Sequence, residues 1–215
     1  LRTAQEAADI YRKLAKANPG AFLSGLATSL NNLGNRLSDL GKREDALKAA
    51  LEAADIYRKL ARSNAEAFLP DLAGSLSNLG TTLSDLGKGE DALKAAQEAA
   101  DIYRKFAKAN VDAFLPKLAM SLNNLGTMLS GIGRREDASK TARETADIYR
   151  KLAKSNPDAF LPDMASSLNN LAATLSDVGK REDALEGAQE AAEIYRELAK
   201  ANPDVVCLQE IRTQD

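Results

Sequence analysis

Residues 29–34 read SLNNLG, and the phrase returns as SLSNLG at 75–80, SLNNLG at 121–126 and SLNNLA at 167–172. Asparagine is the residue here with chemistry to offer. Its amide is donor and acceptor at once. Asparagine is also a mediocre helix former, about 0.5 kcal/mol worse than alanine per residue, so its recurrence between leucines asks for a reason. Other chemistries are poorly supplied. The chain has no histidine, which removes Ser-His-Asp and Cys-His catalysis and every histidine-bearing metal site. The expectation is a non-enzyme with no catalytic residue, no metal site and no cofactor. A lone G-x-G at Gly131-Ile132-Gly133 is a substituted aspartate beside a recurring helix-ending glycine, not a phosphate loop.

Composition narrows the partners. Charged residues of both signs are interspersed and the net charge is −2, so there is no basic footprint for nucleic acid. No apolar run approaches the ~20 residues of a membrane helix. The single cysteine, Cys207, excludes an internal disulfide and suits a reducing, cytoplasmic setting. The chain begins at Leu1 rather than Met, which points to a piece of something longer.

The elements that position the asparagines follow from a repeat. Tyr11, Tyr57, Tyr103 and Tyr149 in D-I-Y, and Tyr195 in E-I-Y, recur every 46 residues. Four units run over 19–64, 65–110, 111–156 and 157–202, with 1–18 as the second half of another and 205–215 as a divergent tail. In each unit Leu26, Leu30, Leu33, Leu37 and Leu40, or their equivalents, mark one face of a first helix. Gly41, Gly87, Gly133 and Gly179 stand where a helix ends in a left-handed residue. A second helix follows, opened by Glu44 and Asp45 at its positive end and running through Ala46, Ala50, Ala53, Ile56, Tyr57 and Leu60, with Asp55 and Lys59 as an i,i+4 pair. Pro70, Pro116 and Pro162 are tolerated only in an opening turn, so each first helix is expected to begin near its A-F-L. No unit can bury both faces alone. The expectation is therefore an all-α, right-handed α-solenoid of stacked antiparallel helical hairpins over 1–204, with nine helices. Neither end shows a polar cap, so end-to-end association of copies is a possible assembly mode.

On a wheel of about 100° per residue the leucines centre near 310°, with Leu30 at zero. Asn31, Asn35 and Thr28 fall opposite, flanked by Asn32 and Ser38, while Ala27 and Gly34 sit between the faces, where a neighbouring helix can approach. The asparagines thus form a stripe away from the core. The five tyrosines, at helical spacing on the second helices, are expected in the core or between repeats. Met120 stands where Thr28 does, as an adaptable contact or as drift.

With Leu30 taken as fourth in its unit, Leu33 is seventh, Gly34 eighth, Leu37 eleventh, Ala46 twentieth, Ala50 twenty-fourth and Ala53 twenty-seventh. This pattern resembles the tetratricopeptide repeat, nearly throughout the chain. Leucine replaces the usual tryptophan and tyrosine, Ala50 the bulkier aromatic, and Arg58 the closing proline. The lengthened unit is similar to those of kinesin light chain and of repeat arrays on bacterial and fungal signalling proteins. The resemblance implies a protein-interaction scaffold whose first helices line a concave groove. It places Asn32, Asn78, Asn124 and Asn170 at the position that forms an asparagine ladder in the O-GlcNAc transferase superhelix, holding an extended peptide or a partner helix. Asn31, Asn123 and Asn169 would add a second row that Ser77 breaks, and Asn35, Thr81 and Thr127 would line the same surface. The alternative is structural: Asn32 bonded to the adjacent helix, where it sets the repeat angle. A groove without charge argues against a clamp for a carboxylate terminus. Separately, P-D-V-V-C-L-Q-E in the tail resembles a strand of the exonuclease III family, in which Glu210 would help hold a divalent metal; without partner carboxylates it makes no site.

Overall fold

Each first helix is opened by an asparagine. Asn18, Asn64, Asn110 and Asn156 accept a hydrogen bond at the side chain from the backbone N–H of Ala21, Ala67, Ala113 and Ala159, at 3.1–3.3 Å. The same asparagine closes the helix before it: the Asn64 N–H bonds the Leu60 carbonyl at 3.0 Å. One residue therefore turns the chain from one helix to the next. In this computed structural model, which describes residues 1–201, the elements are α1 Arg2–Ala17, α2 Pro19–Asp39, α3 Arg43–Ser63, α4 Ala65–Asp85, α5 Gly89–Ala109, α6 Val111–Gly131, α7 Arg135–Ser155, α8 Pro157–Asp177 and α9 Arg181–Ala201. The described residues hold these nine helices and no strand.

The first helices start earlier than their prolines suggest. Pro70 is the sixth residue of α4 rather than part of its opening turn, and Pro116 and Pro162 stand likewise in α6 and α8. Capping decides the start: the asparagine satisfies an orphan N–H, whereas the proline costs one backbone bond, to the carbonyl four residues back. That carbonyl belongs to exposed Glu66 in α4. At the other end Gly41 has φ +70°, and its N–H and that of Lys42 bond the Ser38 and Leu37 carbonyls at 2.8 and 2.9 Å. A side chain there would be strained in the left-handed region.

The chain forms two compact units, Leu1–Ile132 and Gly133–Asp215. In the first, α1 to α6 pack each against the next, and α4 also touches both α2 and α6. Leu26, Leu30, Leu33 and Leu37 of α2 are buried, as are Ala46, Ala50, Ala53 and Ile56 of α3, the helix that packs against it. Gly34 lets α3 approach: a Cβ on it would meet the Ala46 carbonyl at 3.4 Å. Leu40 does not join this stripe; it caps α2 and is 57% exposed. In the second unit α8 packs on α7 and α9 through Ala146, Leu168, Leu171, Leu175 and Ala191. Both units are α-solenoid stacks of helical hairpins.

Arginines tie second helices to one another. Arg12 reaches Glu52 at 2.8 Å, Arg58 reaches Glu98 at 2.9 Å, and Arg150 grips Glu190 with Nε and Nη2 at 3.2 and 2.6 Å. The Glu190 carboxylate raises the Arg150 pKa further. Arg58 also approaches Asp55 at 3.8 Å, so Asp55 meets Arg58 rather than Lys59; the forked guanidinium serves two carboxylates where a lysine serves one. The tail 205–215, with Cys207 and Glu210, lies outside the described residues. No helix among the described residues is long and apolar enough to cross a membrane.

Candidate peptide-binding groove

The first helices α2, α4 and α6 run side by side, and a cavity of about 440 Å³ opens along them. Asn31 and Asn32 line it from α2, Ser77 and Asn78 from α4, and Asn124 from α6. The structure thus brings together, within the first unit, three members of the expected ladder and Asn31 of the second row. Asn32 is exposed, while Asn78 and Asn124 are half-buried. Asn35, Thr81 and Thr127 are exposed on the same helices but do not border the cavity, and Asn123 is half-buried outside it. Thr81 and Thr127 turn their hydroxyls to the carbonyls of Ser77 and Asn123, at 3.2 and 3.1 Å. Asn169 and Asn170 are exposed on α8 in the second unit.

The floor of the cavity comes from the second helices. Tyr57 of α3 and Tyr103 of α5 border it. Their rings are packed as the spacing suggests, at 4% and 7% exposed, yet their hydroxyls reach the groove. Tyr57 Oη lies 2.8 Å from Thr28 Oγ1. Since Thr28 also donates to the Ser24 carbonyl at 3.1 Å, Tyr57 is the donor in that pair. Burial raises the pKa of both tyrosines, that of Tyr103 to about 12, and the carboxylate of Asp71 adds to the shift in each. Tyr149 of α7 is likewise pushed up to about 12, by burial and then by Asp163. Tyr195 departs from the series and is 42% exposed.

Asn31 is half structural. Its Oδ1 accepts from Ser75 Oγ at 3.1 Å, across from α4 to α2. Ser75 is 1% exposed, so this bond satisfies a hydroxyl that water cannot reach. The bond to the next helix that the sequence left open for the ladder residue is therefore made one position earlier, and Asn32 is left on the surface. At the following seam the pattern changes. Ser77 replaces the asparagine and turns its hydroxyl to the Ala73 carbonyl at 3.0 Å. Ser121, 2% exposed, is left without a hydrogen-bond partner.

The groove is not free of charge, contrary to the sequence-based expectation. Asp71 and Lys117 line it, at one repeat position on successive first helices. Pro70 and Met120 complete the wall, Met120 being 59% exposed. The wheel started from the leucine stripe and stopped before this turn, one helical turn ahead of Gly74 and Met120. The tyrosine hydroxyls were missed for a related reason: pattern reads a ring as core, although a buried tyrosine hydroxyl needs a partner and Thr28 was available.

A second cleft, of about 690 Å³, lies in the second unit between α7 and the turn before α9. Glu136, Lys140, Arg143, Asp147, Lys151 and Lys180 surround it. Arg143 and Lys140 already meet Asp183 and Asp137 at 3.6 and 3.8 Å. Its lining is charged and has none of the aligned amides of the groove.

Comparison with known proteins agrees with this architecture. The tetratricopeptide repeat matches over residues 71–151 in one family model, and over 26–61 and 164–204 in another. No curated protein matches the sequence. Among solved structures, the nearly identical TPR-like repeats of a candidate kinesin light chain from Podosopora anserina are 19% identical, with a TM-score of 0.66 over 93% of this chain and 89% of that one. MamA is 18% identical, with a TM-score of 0.60 over 92% and 91%. BtubC (BKLC) from P. vanneervenii is 18% identical, with a TM-score of 0.57 over 92% and 90%. At such identities these structures speak for the fold alone. The family models between them cover most of the chain, and the chain belongs to the tetratricopeptide repeat family.

Proposed function

We propose that this protein is a non-catalytic interaction scaffold that holds an extended peptide segment of a partner protein along α2, α4 and α6. Tetratricopeptide repeats are in general protein-interaction modules, which supports the coarse reading. The observation that carries the finer one is the alignment of Asn32, Asn78 and Asn124 on one cavity, with none of the three engaged in setting the repeat angle as Asn31 is. An amide can give and take one hydrogen bond each with a peptide unit. Successive amides one repeat apart meet successive stretches of an extended chain. Exposed Met120 adds an adaptable apolar contact.

The test is a pull-down from source-cell lysate, read by mass spectrometry, with wild type and the triple variant Asn32→Ala, Asn78→Ala, Asn124→Ala. Circular dichroism first establishes that both are folded. Partners lost from the variant support the groove. Partners retained in full by the variant contradict it.

A second reading rests on α1, where Ile10 and Leu14 are 57% and 38% exposed. Such side chains favour association of copies through that helix. Sedimentation across a concentration series checks it: mass should rise with concentration and stop rising in Ile10→Glu, Leu14→Glu.

A further inference from the structure

The repeats supply their own reference. In the first, two hydroxyls under the groove are satisfied, Tyr57 by Thr28 at 2.8 Å and Ser75 by Asn31 at 3.1 Å. One repeat on, each partner has been replaced. Gly74 stands where Thr28 does, and Ser77 where Asn31 does. Gly74 offers no side chain, although a Cβ there would come within 3.3 Å of the Tyr103 hydroxyl. Ser77 spends its own hydroxyl on the Ala73 carbonyl. Ser121, 2% exposed, is left with no hydrogen-bond partner among the described residues, and the Tyr103 hydroxyl, at the edge of the cavity, lacks the threonine partner that Tyr57 has. Both border the one cavity, where α4 meets α6. Buried polar groups are nearly always paired, and each exception calls for a cause. One such exception, Ser121, beside a tyrosine hydroxyl that opens on the cavity without its counterpart's partner, makes a site that a bound group would complete.

The chemistry of that group follows from its surroundings. A hydroxyl both donates and accepts. The rim carries Asp71 on α4 and Lys117 on α6, one charge of each sign. The Lys117 ammonium sits over the Phe114 ring, 5.3 Å from its centre. With one charge of each sign on the rim, neither a carboxylate nor an ammonium in the seam meets a field that favours its charge. A carboxamide has a donor, an acceptor and no charge. We infer that the α4–α6 seam is a side-chain subsite in which Tyr103 and Ser121 hold the carboxamide of an asparagine or glutamine on the bound peptide. This rests on the peptide reading above and adds sequence preference to a groove whose asparagines read main chain.

A display library of random peptides is the probe. It is selected on wild type, and the enriched peptide is then titrated against Gly74→Thr, Ser77→Asn, which installs the partners found in the first repeat. The expected result is a fixed Asn or Gln in the enriched set, with binding to the variant weakened about tenfold, the scale of one lost hydrogen-bonded contact. The variant should melt above wild type, so lost binding cannot be lost folding. Tyr103→Phe, which keeps the ring, should weaken binding as well. Replacing the peptide's own Asn or Gln by Ala should weaken wild type and leave the double variant little changed. Equal affinity for wild type and both variants would overturn the subsite; the groove would still stand if Asn78→Ala, Asn124→Ala lowers affinity. Enrichment of Asp, Glu, Lys or Arg in place of the amide would overturn the carboxamide assignment. No enrichment on wild type would overturn groove and subsite together.

Discussion

Ser75 donates its hydroxyl hydrogen to Asn31 Oδ1 at 3.1 Å, joining two first helices one repeat apart. At the next seam Ser121 occupies the position of Ser75 and has no such acceptor. The pair separates what an asparagine does for the stack from what it offers a ligand.

Opposite responses to the same substitution follow. Ser75→Ala leaves the Asn31 amide short of a partner and should lower stability by about 1 kcal/mol. Ser121→Ala removes a buried hydroxyl that bonds nothing, and should leave stability unchanged or raise it by up to about 1 kcal/mol. Denaturant midpoints of the two variants, measured side by side, check the contrast. A double-mutant cycle on Asn31 and Ser75 should show coupling, because the residues touch.

High pH should loosen the fold through its tyrosines. The phenol of Tyr103 has a folded-state pKa of about 12, above its ordinary 10.0, because burial and then Asp71 disfavour the phenolate. The folded chain therefore holds this proton longer than the unfolded chain does. Its contribution is fully present below about pH 10 and is lost as pH rises toward 12, by on the order of 2 kcal/mol for Tyr103. Tyr103→Phe should flatten that part of the stability profile. The phenolate absorbance of the folded wild type should rise later than that of free tyrosine.

The Arg150–Glu190 pair offers a test of the tie between second helices. Both side chains are 36% exposed and the guanidinium engages both carboxylate oxygens. A double-mutant cycle with Arg150→Ala and Glu190→Ala should give a coupling of about 0.5–1 kcal/mol, the range for well-formed surface pairs. The coupling should shrink in high salt, as screening requires.

The asparagine at each one-residue connection caps the helix it opens. Asn64→Ala should cost about 1 kcal/mol, and Asn64→Asp should retain most of the stability, since either side-chain oxygen can accept from the Ala67 N–H. Thermal melts of the two variants distinguish a capping role from a merely permissive turn.

Much of the fold was legible in the sequence. The tyrosine spacing defined the repeat, the leucines marked the buried face, and Gly41 and its equivalents marked the left-handed helix ends. Helix starts were less legible, because Asn18 and its equivalents lie beyond the hydrophobic stripe and the prolines drew the boundary inward. At the site, pattern placed Asn32, Asn78 and Asn124 on one face but could not rank Asn31 against Asn32. Which of two adjacent amides reaches the next helix depends on how α2 and α4 are set side by side, and only coordinates hold that. The same applies to Tyr103 and Asp71, whose meeting at the groove depends on three helices at once.

Photo-crosslinking from inside the groove tests the central claim most directly. A benzoylphenylalanine placed at Met120, which is 59% exposed and lines the groove, is compared with one at Leu185, 60% exposed and outside it. The account predicts crosslinks to a defined peptide segment of a partner from position 120, none from position 185, and loss of the former in Asn32→Ala, Asn78→Ala, Asn124→Ala. Equal crosslinking from both positions, or crosslinks from position 120 that survive the triple substitution, would contradict it.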